Sequence, residues 1–190
     1  MLISVEGVDG AGKTTLARAL GERLGAEVLR EPGGVEVSER IRSLVQDAAL
    51  AVDPRAEALL YAAARAQLVA ERIRPLLAEG RTVVLDRFVD SSLAYQGGGR
   101  GLEVRGINEF ATGGLAPDVT LLLKLDPARA RARKKGSGDR IEQEPDAFFD
   151  AVAAAYDELA AAEPQRFRVL DAGLPPDEVL RAALRALGET

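Results

Sequence analysis

The chain has 190 residues, a formal net charge of −5, and no His, Cys or Trp. Those absences exclude a disulfide framework, a Cys or His zinc site, a Ser-His-Asp or Cys-His nucleophile and a histidine general base. Any chemistry must run on carboxylates, Lys, Arg, hydroxyls, backbone amides or a hard metal ion. The acidic balance argues against a uniformly basic nucleic-acid binder, so no nucleic acid partner is expected. The length suits one domain over residues 1–190 with a sizeable core. No apolar run approaches the roughly 20 residues of a membrane span. The start, Met1 to Glu6, lacks a basic leader region. A cytoplasmic location without a membrane partner is therefore expected.

Leu2 to Glu6 reads as a short buried strand, followed by a Gly-rich turn. Thr14 to Leu24 carries helical spacing through Leu16, Leu20 and Leu24, and Gly25 marks its end. Glu27 to Arg30 reads as a second strand, stopped by the turn Glu31-Pro32-Gly33-Gly34. Val37 to Val45 has helical spacing, and Pro54 to Leu77 is a long helical stretch that Pro75 kinks or restarts. Thr82–Leu85 and Val119–Leu125 are near-continuous apolar runs, the mark of parallel strands covered on both faces. A helix over Asp146–Ala162, a strand over Arg168–Leu170 and a helix over Asp177–Leu187 complete the chain. The alternation predicts an α/β fold with a mostly parallel five-stranded sheet flanked by helices.

The sharpest motif is Gly7-Val8-Asp9-Gly10-Ala11-Gly12-Lys13-Thr14, which fits G-x-x-x-x-G-K-[ST] between a strand and a helix. In such a P-loop, backbone N–H groups cradle phosphate oxygens and the helix N-terminus adds its positive dipole end. Lys13 reaches the β- and γ-phosphates, and the Thr14 hydroxyl holds Mg²⁺. Gly7 to Thr15 is thus the expected nucleoside-triphosphate-binding segment. The loop alone does not say where the γ-phosphate goes. A GTPase would carry an N-K-x-D motif, and Asn108 is the sole Asn. The remaining readings are a kinase with a small acceptor and an ATPase that passes the group to water.

Asp86 and Arg87 follow the Thr82–Leu85 strand, at the sheet's carboxyl end where ligands bind in such folds. Asp86 is placed to act on Mg²⁺ and Arg87 to clamp an acceptor phosphate. The lesser reading on spacing alone is a solvated Asp-Arg pair capping the next helix.

Further segments carry a resemblance. They are Val5-Glu6-Gly7 with the loop through Thr15, Arg30-Glu31-Pro32-Gly33-Gly34, Leu59 to Arg65, Asp86-Arg87-Phe88, Ser91 to Arg100, and Asp139 to Glu144. In this order they resemble the bacterial thymidylate kinase family, P-loop kinases that phosphorylate dTMP to dTDP. The resemblance implies ATP as donor, Mg²⁺ as cofactor, dTMP as acceptor and a homodimer. It places Asp9 by the sugar 3′-hydroxyl and the metal, Tyr61 stacked on thymine, and Arg65 on a thymine carbonyl. It puts Arg87 on the acceptor phosphate, Ser92 and Gln96 at the base edge, and Tyr95 beneath the deoxyribose. Phe is commoner at the Tyr61 position. Without the resemblance, Tyr61 reads first as an ordinary helix-packing aromatic. Gly97-Gly98-Gly99-Arg100 is expected to be a mobile loop.

Arg129, Arg131, Arg133, Lys134, Lys135 and Arg140 fall close together against one acid, Asp139, with Gly136-Ser137-Gly138 between them. A charge run is usually a solvated face. After a strand end in a phosphate-binding fold it also fits a short basic lid, about residues 129–145, closing over ATP. The family has two arrangements: an Arg in the phosphate loop just after the acidic residue, or Gly there with lid arginines instead. Gly10 resembles the second. Arg133 is the favoured arginine at the phosphates, with Arg129 and Arg140 next. Glu142 is a candidate metal or lid-orienting residue. Asp171-Ala172-Gly173 resembles the family's adenine-contacting loop, mostly through backbone at Ala172.

Overall fold

Residues 1–133 and 138–189 are described by a computed structural model. Lys134, Lys135, Gly136 and Ser137 of the basic segment, and Thr190, lie outside the described residues. Five strands make one all-parallel sheet: β1 (Leu2–Glu6), β2 (Glu27–Arg30), β3 (Val83–Asp86), β4 (Val119–Lys124) and β5 (Phe167–Asp171), in the order β2-β3-β1-β4-β5. Alternation along the strands fills both faces. Ile3, Val5 and Val84 enter one core, with Leu16 and Leu20 of α1 (Lys13–Leu24). Leu2, Val83 and Leu85 enter the other, with Leu68 and Ile73. The register sets Val5 beside Asp86, so the ends of β1 and β3 deliver the phosphate loop and Asp86-Arg87 to the same place.

The remaining helices are α2 (Glu36–Gln46), α3 (Pro54–Leu68), α4 (Arg74–Ala78), α5 (Val89–Ser92), α6 (Arg105–Thr112), α7 (Pro127–Ala132), α8 (Asp146–Ala162) and α9 (Pro176–Ala186). The long helical stretch from Pro54 is continuous but not uniform. A π-helical turn, Val69–Ile73, joins α3 to α4, and Pro75 sits in the first turn of α4, where its missing N–H is tolerated. Three short helices, α5, α6 and α7, show no clear periodicity in the sequence because each has eight residues or fewer.

The reading of Gly97–Arg100 as a mobile loop is corrected. Leu93–Gly99 forms a π-helical segment continuing α5, and Arg100 caps it. The glycines there permit close packing rather than motion. A Cβ on Gly98 would lie 2.5 Å from Ala155 Cβ, and one on Gly99 2.4 Å from the Phe148 ring. Both neighbours belong to α8. Gly99→Ala is therefore expected to lower stability by about 1–3 kcal/mol through overpacking, read as a fall in thermal midpoint.

Candidate active site

No side chain caps α1; Gly12 holds the N-cap position. The first amide groups of the helix are thus left to an anion, whose charge the helix dipole favours. Gly10 has φ +85°, and a Cβ there would come within 2.2 Å of the Ala130 carbonyl in α7. Only glycine fits, because both backbone angle and space exclude a side chain. Lys13 is buried and donates from Nζ to the Val8 carbonyl at 2.9 Å. Burial above all, with Arg87 adding to it, lowers its pKa to about 8.

The Thr14 hydroxyl donates to Asp86 Oδ2 at 2.5 Å. A hydroxyl and a carboxylate thereby converge beside the loop, the hard oxygen donors that Mg²⁺ takes together with phosphate and water. Among the described residues, no group of three or more His, Cys, Asp or Glu could hold a metal. The donor set therefore fits a metal shared with a nucleotide rather than an all-protein cage. Glu142 borders the same cavity.

Asp9 is committed elsewhere. Its Oδ1 accepts from Arg87 Nη2 at 2.5 Å and its Oδ2 from the Tyr95 hydroxyl at 2.7 Å, while Lys13 Nζ lies 4.0 Å away. Arg87 stacks over the Tyr95 ring, 4.9 Å from its centroid, and donates to Ser91 Oγ at 2.9 Å. Its backbone is left-handed, φ 73°, unusual for a side chain of that bulk. Burial opposes its charge. Asp9 first, then Tyr95, Tyr156 and Glu6, outweigh that and hold it protonated well above the ordinary arginine range. Glu6 supports the arrangement from within. It accepts from the Phe88 amide, Ser91 Oγ and the Tyr156 hydroxyl at 2.7, 2.6 and 2.9 Å. Burial, with Asp90 nearby, raises its pKa to about 7.

Tyr61 and Arg65 lie one turn apart on α3 and both border the cavity. Arg65 is 2% exposed, and all three of its guanidinium nitrogens have protein partners. Nε donates to Glu31 Oε2 at 2.7 Å, Nη1 to Ser92 Oγ at 3.0 Å and to Asn108 Oδ1, and Nη2 to the Phe88 carbonyl at 3.0 Å. Glu31 Oε1 is buried with no hydrogen-bond partner among the described residues. Glu31 also borders the cavity, and a buried acceptor of this kind calls for a donor.

One cavity of about 1030 Å³ unites most of the expected residues. Asp9, Gly10, Gly12, Lys13, Thr14 and Thr15 border it at one end. Tyr61, Arg65, Ser92, Tyr95 and Gln96 border it at the other, with Asp86, Arg87, Arg133 and Glu142 also on its walls. Gly7 and Val8 instead border a smaller cavity of about 320 Å³ behind the loop. Ala11 is a core residue. Arg133 Nη1 donates to the Ala172 carbonyl at 3.0 Å, and Arg129 lies beside Gly173. Both arginines thus meet the Asp171–Gly173 turn. Arg140 turns away from the phosphate loop: its Nε donates to the Val45 carbonyl at 3.0 Å and its Nη2 to Glu57 at 2.7 Å.

Sequence reasoning missed Glu31, Glu57 and Asn108 as parts of this site. The available signal was a charged residue on an apolar helix face, at Glu57, four residues before Tyr61.

A parallel sheet with this strand order, and a phosphate loop running from its central strand into an uncapped helix, define a P-loop NTPase fold. The family model described as thymidylate kinase matches residues 5–183. A thymidylate kinase of Deinococcus radiodurans is 48% identical, covering 100% of this chain and 97% of its own. One of Lactobacillus delbrueckii subsp. bulgaricus is 46% identical, covering 99% and 95%. The crystal structure of thymidylate kinase from Ehrlichia chaffeensis superposes with a TM-score of 0.83 at 28% identity, covering 99% of this chain and 98% of that one. The chain belongs to the thymidylate kinase family and is a phosphotransferase.

Proposed function

We propose that the protein transfers the γ-phosphoryl group of ATP to dTMP, with Mg²⁺, giving dTDP for dTTP synthesis. The observation that carries this reading is the single cavity that runs from Lys13 and Thr14 to Tyr61 and Gln96. It offers a triphosphate and a pyrimidine nucleotide one shared space.

The acceptor oxygen belongs to a phosphate already anionic near neutral pH, so no general base is required. The task is to bring two anions together in line and to stabilise spread charge. Lys13 binds the β- and γ-phosphates. Arg87, held by Asp9 and stacked on Tyr95, clamps the acceptor phosphate. Asp9 also meets the 3′-hydroxyl, and the Tyr95 ring crowds a 2′-hydroxyl, favouring deoxynucleotides. Tyr61 stacks on the base, while Arg65, through Ser92, and Gln96 address its edge. Thr14 and Asp86 hold the metal, with Asp9 and Glu142 nearby. When bound, Mg²⁺ neutralises developing charge on the phosphates. Arg133, with Arg129, closes the donor side, and the Ala172 backbone meets adenine.

Arg133→Ala is expected to lower kcat about 10- to 100-fold with little change in the KM for dTMP, because neighbouring Arg129 shares its work. Unchanged single-turnover rates would refute that placement. We also propose a cytoplasmic homodimer. Phe110 on α6 and Leu59 on α3, two packed helices, are 91% and 58% exposed, an apolar surface suited to a second copy. Sedimentation tests the dimer.

ADP release with and without a panel of acceptors tests the function. Stimulation by dTMP is expected. Preference for dGMP, dCMP or free thymidine, or hydrolysis indifferent to every acceptor, would overturn it.

A further inference from the structure

Glu57 is a fully buried carboxylate in α3, and three donors converge on it. Gln96 Nε2 donates to its Oε1 at 2.9 Å. Arg100 Nη2 and Arg140 Nη2 reach its Oε2 at 3.0 and 2.7 Å. Burial alone would raise its pKa, but the hydrogen bonds from Arg100, Gln96 and Arg140 outweigh that and hold it below the ordinary carboxylate range. The group is therefore ionised at neutral pH, and an ionised carboxylate only accepts hydrogen bonds.

That fixes the partner's orientation. Gln96 can present only its NH₂ group to Glu57, since the flipped amide would set two acceptors against each other. Gln96 is itself 2% exposed and borders the cavity beside Ser92 and Tyr95. Among the described residues, no donor takes its Oε1. The groups left for a ligand are the carbonyl, an acceptor, and the second amide N–H beside it, in an order that Glu57 fixes.

We propose that Glu57 is a specificity-determining positioning residue, which locks the Gln96 amide with its carbonyl toward the acceptor and so admits a base that offers a hydrogen-bond donor at that edge. The imide N–H of thymine or uracil meets this demand. The matching ring nitrogen of cytosine carries a lone pair and leaves two acceptors opposed in a buried site. The inference rests on the reading of this cavity as the dTMP site.

The test compares kcat/KM for dTMP and dCMP in the wild type, in Glu57→Gln, and in the double variant Glu57→Gln/Arg140→Gln. A glutamine at 57 offers both a donor and an acceptor, so Gln96 can turn either way. The double variant also removes the guanidinium that the single change strands, while Arg100 keeps Glu144 as an ion-pair partner at 2.7 Å. A dTMP-to-dCMP preference that falls about 10- to 100-fold, chiefly in KM and with the KM for ATP unchanged, supports the proposal. A folded variant that loses both activities equally, or keeps the wild-type preference, overturns the role of Glu57 alone. A wild type that does not use dTMP overturns the functional reading beneath it.

A measurement on the unaltered protein needs no variant. One Gln96 side-chain amide proton is expected to keep its through-hydrogen-bond coupling to the Glu57 carboxyl carbon when dTMP is added, because that N–H stays on Glu57. Loss of that coupling on dTMP binding would refute the lock.

Discussion

Lys13→Ala is expected to lower kcat about 10³-fold, with the KM for dTMP within a few-fold of wild type. A positioned cation that meets charge as it develops contributes on that scale. The surroundings of Lys13 give the alanine variant no replacement. Its side chain is 7% exposed and pinned to the Val8 carbonyl, and Arg87, whose charge already acts on it, is engaged by Asp9. Rapid-quench measurement of a single turnover checks the prediction, and a rate within tenfold of wild type would refute it. The same residue sets a pH dependence. With its pKa lowered to about 8, the ligand-free side chain is charged below that pH and neutral above it. An anionic triphosphate favours the charged form. Its binding should therefore take up a proton above pH 8, and the KM for ATP should climb as pH rises from 7 to 9.

Arg87→Ala is expected to lower kcat/KM for dTMP about 10²–10³-fold, split between KM and kcat. The arginine does two things that alanine cannot. It presents a planar fork to a phosphate, and it neutralises Asp9, which the substitution would leave facing an incoming dianion. Arg87→Lys should recover little, because an ammonium neither forks nor stacks on the Tyr95 ring as a guanidinium does. Steady-state kinetics with varied dTMP would show it. A lysine variant restored to wild-type kcat/KM would mean that charge alone suffices.

Much of this was legible in the chain. β1, β2 and α8 begin and end where their spacing indicates, because an apolar run or a long periodic face is a strong local signal. The P-loop was readable because its chemistry demands residue types at fixed spacing. The partner of each buried charge was not. Glu57 meets Gln96, Arg100 and Arg140 across 39, 43 and 83 positions of chain, and nothing local to Glu57 specifies those neighbours. The same holds for Arg140, which its place in the basic run made a candidate at the phosphates after Arg133. Its actual partners are the end of α2 and Glu57 on α3. The triple glycine misled for a related reason. Glycine is the signature of both freedom and close approach, and only the position of Phe148 shows which applies.

The contact between Gly10 and Ala130 bears on how such an enzyme can change over generations. The site a side chain would take at position 10 is filled by the backbone of α7, the helix that brings Arg129 and Arg133 to the Asp171–Gly173 turn. An arginine in the phosphate loop and this seating of α7 exclude one another by volume. The two arrangements of the family are then alternatives rather than additions. A lineage built like this chain could not acquire a loop arginine by one codon change and keep Arg129 and Arg133 in place. It would first have to move a helix, and pass through a form with neither supply of positive charge.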